Sequence, residues 1–489
     1  MKGDIIGDSI ATKTVKGSFF SLGSSAITIV SGFARSVILA RLLTPRDFGI
    51  VALALFFLSI TNQFRDFGFN WALVHRDTDV SVATSTHFVL RVGMTFVMML
   101  LTLAAAPVLN HLYPLQPRMI SALLVLSLIE FLNAVNSTPN FTLRKKMEFK
   151  YLAILDVVSS LAMTIFAPAM ALAGLGFWSL VGEQAIAALV RTIGLWGIRR
   201  PWRLSLKFDK GIARWYFRFG YFVFLSSSLT FLLDQFDDFW TGTVLGAVPL
   251  GFYSRAYEFA RYPRRAIANP ITRVFFPAYA KLQHDRLRLS KAFYRASSLM
   301  IRVGFLLSLV FVLVAPEFTH IFIGAKWLPM VPVFRFMILY TLLDPLILTS
   351  GHLLTAIGRP QILTKIKGVQ LLVFIPAVII LSYSFGVEGV AIAVDLMAII
   401  GLALVFTQIR QFVDFSLRKM FCYPFVSLLL SVGITLFVEG NVSLASDWLS
   451  FILKGGLAAA IYSILMLLFE FPQCIRGLRL VYHSFLQPR

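Results

Sequence analysis

Apolar residues dominate this chain in long runs separated by short polar connections. At about 20 residues per crossing of a hydrocarbon layer roughly 30 Å thick, such runs predict transmembrane helices rather than the buried helices of a soluble domain. They cover 17–40, 48–74, 87–109, 118–137, 152–173, 177–198, 216–241, 250–276, 297–316, 331–356, 362–385, 387–412, 421–439 and 448–471. The fold class expected is therefore an all-α integral membrane protein with about 14 transmembrane helices. The first run is longer than the 7–15 apolar residues of a signal-peptide core and lacks a clear small-residue cleavage site, so it reads as the first span.

Composition agrees: of 489 residues, 58% are hydrophobic and only 14% charged. Lys and Arg number 45 against 24 Asp and Glu, for a formal charge of +21, which in a soluble protein would point to nucleic acid. Placement decides otherwise. Basic residues concentrate in alternate connections: Arg144, Lys145, Lys146 and Lys150; then Arg199, Arg200, Arg203 and Lys207; then Lys281, Arg286, Arg288 and Lys291; then Arg359 and Lys365, and finally Arg418 and Lys419. The opposite connections hold little beyond Arg41, Arg46, Arg118 and Lys326. This bias places both termini on the cytoplasmic side and accounts for most of the charge as a topological label, with attraction to membrane lipids and no nucleic acid partner.

Other classes are excluded by what the chain lacks. Its two cysteines, Cys422 and Cys474, allow no disulfide framework and no cysteine metal site, and His75, His87, His284 and His352 do not cluster in sequence. There is no GxxxxGK[ST] loop and no soluble segment long enough for a nucleotide-binding domain. No catalytic residues, metal or organic cofactor are expected, and the chain is not expected to be an enzyme.

Internal echoes point to duplication. The segment around Leu43-Thr44-Pro45 and Phe48-Gly49-Ile50 returns around Val248-Pro249-Leu250-Gly251-Phe252, with Gly49 and Gly251 202 positions apart. Arg91-Val92-Gly93 returns as Arg302-Val303-Gly304, and Gly174-Leu175-Gly176-Phe177 as Phe385-Gly386-Val387-Glu388-Gly389. Six spans separate equivalent points, and an even number preserves orientation, so two parallel six-helix repeats around a central cavity are expected. The boundaries are an N-terminal lobe at 1–198, a cytoplasmic linker at 199–214, a C-terminal lobe at 215–412 and two additional helices with a tail at 413–489.

Polar stripes mark the faces that avoid lipid. Gly17, Ser21, Ser24, Thr28, Ser31 and Arg35 fall within about 40° of one line on the first span. Gly220, Ser227, Asp234, Asp238 and Thr241 do so on the seventh, with Asp237 beside them. On the eighth, Ser254, Glu258, Arg261, Arg265 and Thr272 align. Each charge at the bilayer centre would cost about 2.5–3.5 kcal/mol, so these faces should be wet or paired. Two readings stand side by side: small residues as packing seams with Arg and Asp fixing the bundle, or a cavity lining. The cavity candidates are Arg35, Arg91, Arg255, Glu258, Arg261, Arg265, Arg302, Ser24, Thr28 and Ser31, because several guanidiniums suit one phosphate-bearing ligand. Candidates for gating or for coupling to H⁺ or Na⁺ are Asp66, Asp156, Glu183, Asp234, Asp237 and Asp238. Arg35 and Asp237 share the 202-residue offset and are expected to close an outer gate as an ion pair.

Five blocks carry a family likeness: Leu39-Ala40-Arg41-Leu42-Leu43 with Phe48-Gly49; Asp66-Phe67-Gly68-Phe69; Leu143-Arg144-Lys145-Lys146-Met147-Glu148-Phe149; Asn269-Pro270-Ile271-Thr272-Arg273-Val274-Phe275-Phe276-Pro277-Ala278; and Gly324-Ala325-Lys326-Trp327. With these the chain resembles the Wzx-type polysaccharide flippases, in the colanic-acid-exporter-like branch of the multidrug/oligosaccharidyl-lipid/polysaccharide exporter superfamily. The resemblance implies a bacterial inner-membrane flippase that moves an undecaprenyl-pyrophosphate-linked oligosaccharide to the periplasmic leaflet for exopolysaccharide, capsule or O-antigen assembly. It also implies a polysaccharide polymerase and a chain-length regulator as neighbours in that process. The rival readings are a cation-coupled multidrug antiporter of the same superfamily, which would prefer an acidic, aromatic cavity, and a membrane-embedded polysaccharide polymerase, which would need a longer external segment.

Overall fold

The computed structural model describes residues 23–70, 73, 80–113, 117–262, 265, 269–441 and 446–486. These are helical almost throughout, with no strand among them. In chain order they form α1 (Gly23–Leu42), α2 (Pro45–Asp66), α3 (Val80–Leu112), α4 (Pro117–Lys145), α5 (Phe149–Leu172) and α6 (Trp178–Thr192), followed by α7 (Lys210–Trp240), α8 (Ala247–Ala260) and α9 (Asn269–Leu282). Then come α10 (Arg286–Phe318), α11 (Val331–Ala356), α12 (Pro360–Ile409), α13 (Leu417–Asn441) and α14 (Asp447–Leu486).

Ten helices among the described residues are long and apolar enough to cross a membrane, and a pair bent by 45°, Lys210–Leu225 with Ser227–Leu245, makes eleven. The rest of the expected fourteen is explained locally. α12 holds two expected spans: its 50 residues would reach about 75 Å if straight, and at Gly386 (φ 59, ψ −136) the chain leaves helical geometry and folds back. The return is visible where the Gln370 side chain donates to the Met397 carbonyl at 3.1 Å. α6 has only 15 α-helical residues before it widens into the π-helical turn Ile193–Arg199. Within the expected eighth span the structure describes α8, to Ala260, and α9, from Asn269.

Helix starts follow from local sequence. Thr44 and Asp47 form a reciprocal capping box ahead of α2, with Pro45 at the first helical position. Asp209 and Asp285 cap α7 and α10 by accepting from the Ile212 and Arg288 backbone N–H groups at 2.7 and 3.0 Å. α2 ends where Phe67 and Gly68 turn left-handed.

The chain packs as two compact units, one running to Arg255 and including Val378–Val390, the other comprising Ala256–Ala377 and the chain from Ala391 onwards. In the first, α2 touches α4 and α7, α5 packs on α6, and Phe69, Leu73, Ala83, Ile212 and Tyr216 form a buried cluster. In the second, α10 is the hub for α11, α13 and α14, around buried Phe293, Met300, Phe305 and Leu353.

The sequence echoes take on physical form within the first unit. A Cβ on Gly49 would run into the Ala247 carbonyl, and a Cβ on Gly251 into the Pro45 carbonyl. These contacts are reciprocal between repeat-equivalent positions, as two parallel copies related by a two-fold axis require. The Gly174 and Gly176 turn between α5 and α6 (φ 81 and 54) and the Gly386 turn in α12 are likewise counterparts.

Candidate functional site

The polar face of α1 is a seam against α5 and α6 over its second half. Ser31 is buried and meets Ser160 at 2.6 Å, oxygen to oxygen. Arg35 pairs with Glu183 at 3.0 Å and donates to the Ser160 carbonyl and the Thr164 hydroxyl. Thr28 donates to the Ser25 carbonyl of its own helix. Ser24, with Gly23, Ile27 and Lys150, lines an opening of about 300 Å³. Gly17 and Ser21, the N-terminal part of the same stripe, lie outside the described residues.

The guanidinium groups expected among cavity cations divide into two kinds. Arg91 is buried and held by Asp66 at 2.9 Å and by the Arg65 carbonyl at 2.8 Å, an orphan acceptor at the end of α2. Arg65 in turn pairs with Glu130 at 2.6 Å, and Asn70 donates to Asp66. Arg302, the repeat counterpart of Arg91, is gripped by both oxygens of Glu470 at 2.5 Å, with only 3% of the Glu470 side chain exposed. Each of the two arginines ties one helix to another. Arg191 similarly holds Asp156 at 2.7 Å.

Arg255 is of the second kind. It lies 4.3 Å from the centre of the Phe48 ring and donates to the Ser36 hydroxyl at 3.2 Å, on the α2 side of the first unit. Below the same crossing, Gln63 donates to Ser227 and Ser228, and Ser59 donates to Gln235. Asp237 is buried and accepts from the Tyr253 hydroxyl. The outer ion pair expected between Arg35 and Asp237 is therefore not formed, since Glu183 holds one and Tyr253 the other. Asp238 is half-buried and Asp234 is exposed, so three carboxylates occupy five consecutive positions near the end of α7.

In the second unit the Ala260 carbonyl accepts from the Thr341 hydroxyl at 2.7 Å. Arg261 leans on the Tyr257 ring at 4.9 Å, and Tyr257 meets Tyr340 hydroxyl to hydroxyl at 3.4 Å. Arg265 is exposed and sits over Tyr262 at 5.4 Å, and Glu258 is half-buried one turn before Arg261. At the end of α8 and just beyond it, the Arg261 and Arg265 guanidiniums lie against aromatic rings. Such groups can hold phosphate through their N–H edges and a sugar through the ring faces.

Some polar positions escaped the sequence reading. Lys454 is buried in α14 and bridges Glu317 at 2.6 Å and Glu439. Ser450, one turn before it, donates to Glu317 and was the available signal, a polar residue at helical spacing in an apolar span. Among the described residues no group of His, Cys, Asp and Glu is placed to hold a metal ion.

Comparison with known proteins follows the same lines. Residues 38–332 match the family model described as polysaccharide biosynthesis protein. The chain is 27% identical over 461 residues to the lipopolysaccharide biosynthesis protein WzxC of Escherichia coli strain K12, covering 92% of this chain and 90% of that one. It is 29% identical over 263 residues to the succinoglycan biosynthesis transport protein ExoT of Rhizobium meliloti strain 1021, covering 53% and 52%. Its fold is similar to that of the lipid II flippase MurJ in an inward closed conformation, at a TM-score of 0.77 and 12% identity over 94% of this chain and 100% of that one. An inward-facing multidrug resistance MATE family transporter of the MOP superfamily is similar at a TM-score of 0.59 and 18% identity, over 81% and 95%.

Proposed function

The chain belongs to the polysaccharide biosynthesis protein family, a multi-pass membrane protein by its helices, and on that premise we propose that it flips a lipid-linked oligosaccharide across the bacterial inner membrane. The observation that carries this reading is the alignment with WzxC along nearly the whole of both chains. The substrate we assign is an undecaprenyl-pyrophosphate-linked repeat moved outward by alternating access, and its product would feed a polymerase of exopolysaccharide, capsule or O-antigen. Arg261 and Arg265, both in the second unit, are the groups we assign to the pyrophosphate. They support it by chemistry: a guanidinium pairs with phosphate oxygens through charge-assisted hydrogen bonds, and the aromatic rings beside both suit the face of a sugar. Glu183 and Asp156, each paired with one arginine, are the carboxylates whose protonation would loosen α1 and α6, and we assign any coupling ion to them.

The test is flipping of a fluorescent undecaprenyl-pyrophosphate oligosaccharide in proteoliposomes. The intact protein should expose the sugar on the far leaflet, and Arg261→Ala should slow this roughly tenfold or more, the value of one charge-assisted hydrogen bond, with the melting temperature unchanged. Export of organic cations in place of the lipid-linked sugar would move the chain to the antiporter reading. Collapsing a proton gradient should slow flipping if Glu183 or Asp156 carries the coupling ion.

A further inference from the structure

A pocket with a basic rim lies in the second unit, away from every residue assigned above. On α10, Lys291 and Arg295 stand one turn apart on an exposed face. The connection from α12 to α13 is pinned against that helix: Arg286 grips both oxygens of Asp414 at 2.7 and 3.0 Å, and the Ser290 hydroxyl accepts the Asp414 backbone N–H at 2.8 Å. This brings Lys419 opposite Lys291 and Arg295 around a pocket of about 620 Å³, whose remaining wall includes Tyr294, Ser416 and Phe415. The one carboxylate there, Asp414, is engaged by Arg286. Among the described residues no carboxylate pairs with Lys291, Arg295 or Lys419.

A cationic topological label needs neither a pocket nor a fixed connection, because any position in a loop serves it. Here three cations converge on one space, and the one acid that shares it is already paired with Arg286. The pocket also stands where an amphiphile's head would be. The apolar part of α10 begins just beyond Arg295, and the other face of the 410–419 connection opens onto an apolar groove of about 800 Å³. That groove has Arg410 and Arg418 at its mouth and is walled by Leu402, Phe406, Phe421 and Phe425. Basic pockets between helix ends at a membrane surface suit the phosphate of an anionic lipid, each cation contributing through a field that falls off within a Debye length.

We propose that Lys291, Arg295 and Lys419 form a binding site for the phosphate headgroup of an anionic membrane phospholipid. The site is independent of the flipping reading, since the lipid is held there rather than moved.

The experiment uses the full chain in neutral detergent and follows its melting temperature during titration with phosphatidylglycerol, phosphatidylcholine or inorganic phosphate. Phosphatidylglycerol should raise the melting temperature, phosphatidylcholine much less, and inorganic phosphate not at all. Lys419→Gln should weaken the phosphatidylglycerol response roughly fivefold, and the triple change K291Q/R295Q/K419Q more than tenfold. Lys281→Gln, a cation outside the pocket, should leave it unchanged, and the two single variants carry the test where the triple one does not fold. Equal responses to phosphatidylglycerol and phosphatidylcholine, or to inorganic phosphate, overturn the proposal. So does an equal loss in Lys281→Gln and Lys419→Gln, which would mean general surface charge.

Discussion

Arginine in this chain has its role decided by what faces it. Arg302 lies within α10 and Arg261 just past the end of α8; Arg302 is locked onto Glu470, while the Arg261 guanidinium lies over the Tyr257 ring. The two should respond differently to substitution. Arg302→Leu leaves the Glu470 carboxylate buried without its cation, and a broken buried pair costs about 3–5 kcal/mol. Its melting temperature should fall sharply, whereas the double change R302L/E470L should recover most of the loss, because two apolar side chains can fill the place of a buried pair. A melt of both variants in detergent checks this, and an equal loss in both would mean that packing rather than charge holds α14 to α10.

At the scale of elements, glycines of the two repeats fall into two classes. Gly49 and Gly251 sit where the starts of α2 and α8 cross, each so close to the partner backbone that a Cβ would strike a carbonyl. Gly93 and Gly304, also repeat counterparts, have nothing within 4 Å of such an atom. Gly49→Ala and Gly251→Ala should therefore each destabilise by about 1–3 kcal/mol, as overpacking does, and the pair should be non-additive because both relieve or strain one contact. Gly93→Ala and Gly304→Ala should be neutral or slightly stabilising through helix propensity. Folded yield and melting temperature of the four variants separate the classes. Gly386 is constrained differently: its φ of 59 with ψ of −136 is backbone that glycine alone adopts readily, and it lets α12 return on itself.

For the whole molecule, the distribution of Lys and Arg makes a claim about sidedness. In a background lacking Cys422 and Cys474, a single cysteine at Arg288 should react with a membrane-impermeant maleimide only after the cells are opened. One at Lys326 should react in intact cells, since the two positions flank the single span formed by α10. Reaction of both from outside would overturn the assignment of cytoplasmic termini.

The one-dimensional pattern by itself determined the membrane class, the number of apolar runs, the charge bias and the repeat offset. Hydropathy and glycine turns act through residues near in sequence, which is why the ends of the apolar runs at the Gly174 turn and at Gly386 were legible there. The contact of the Thr341 hydroxyl with the Ala260 carbonyl was not, because the two lie 81 positions apart on different helices. Only the tertiary structure decided which charges are partners. Arg35 meets Glu183 rather than Asp237, Arg302 meets Glu470, and Lys454 bridges Glu317 and Glu439. In an apolar medium a charge takes whichever opposite charge the packing brings within reach, and that distance is set by helix crossings rather than by spacing along the chain.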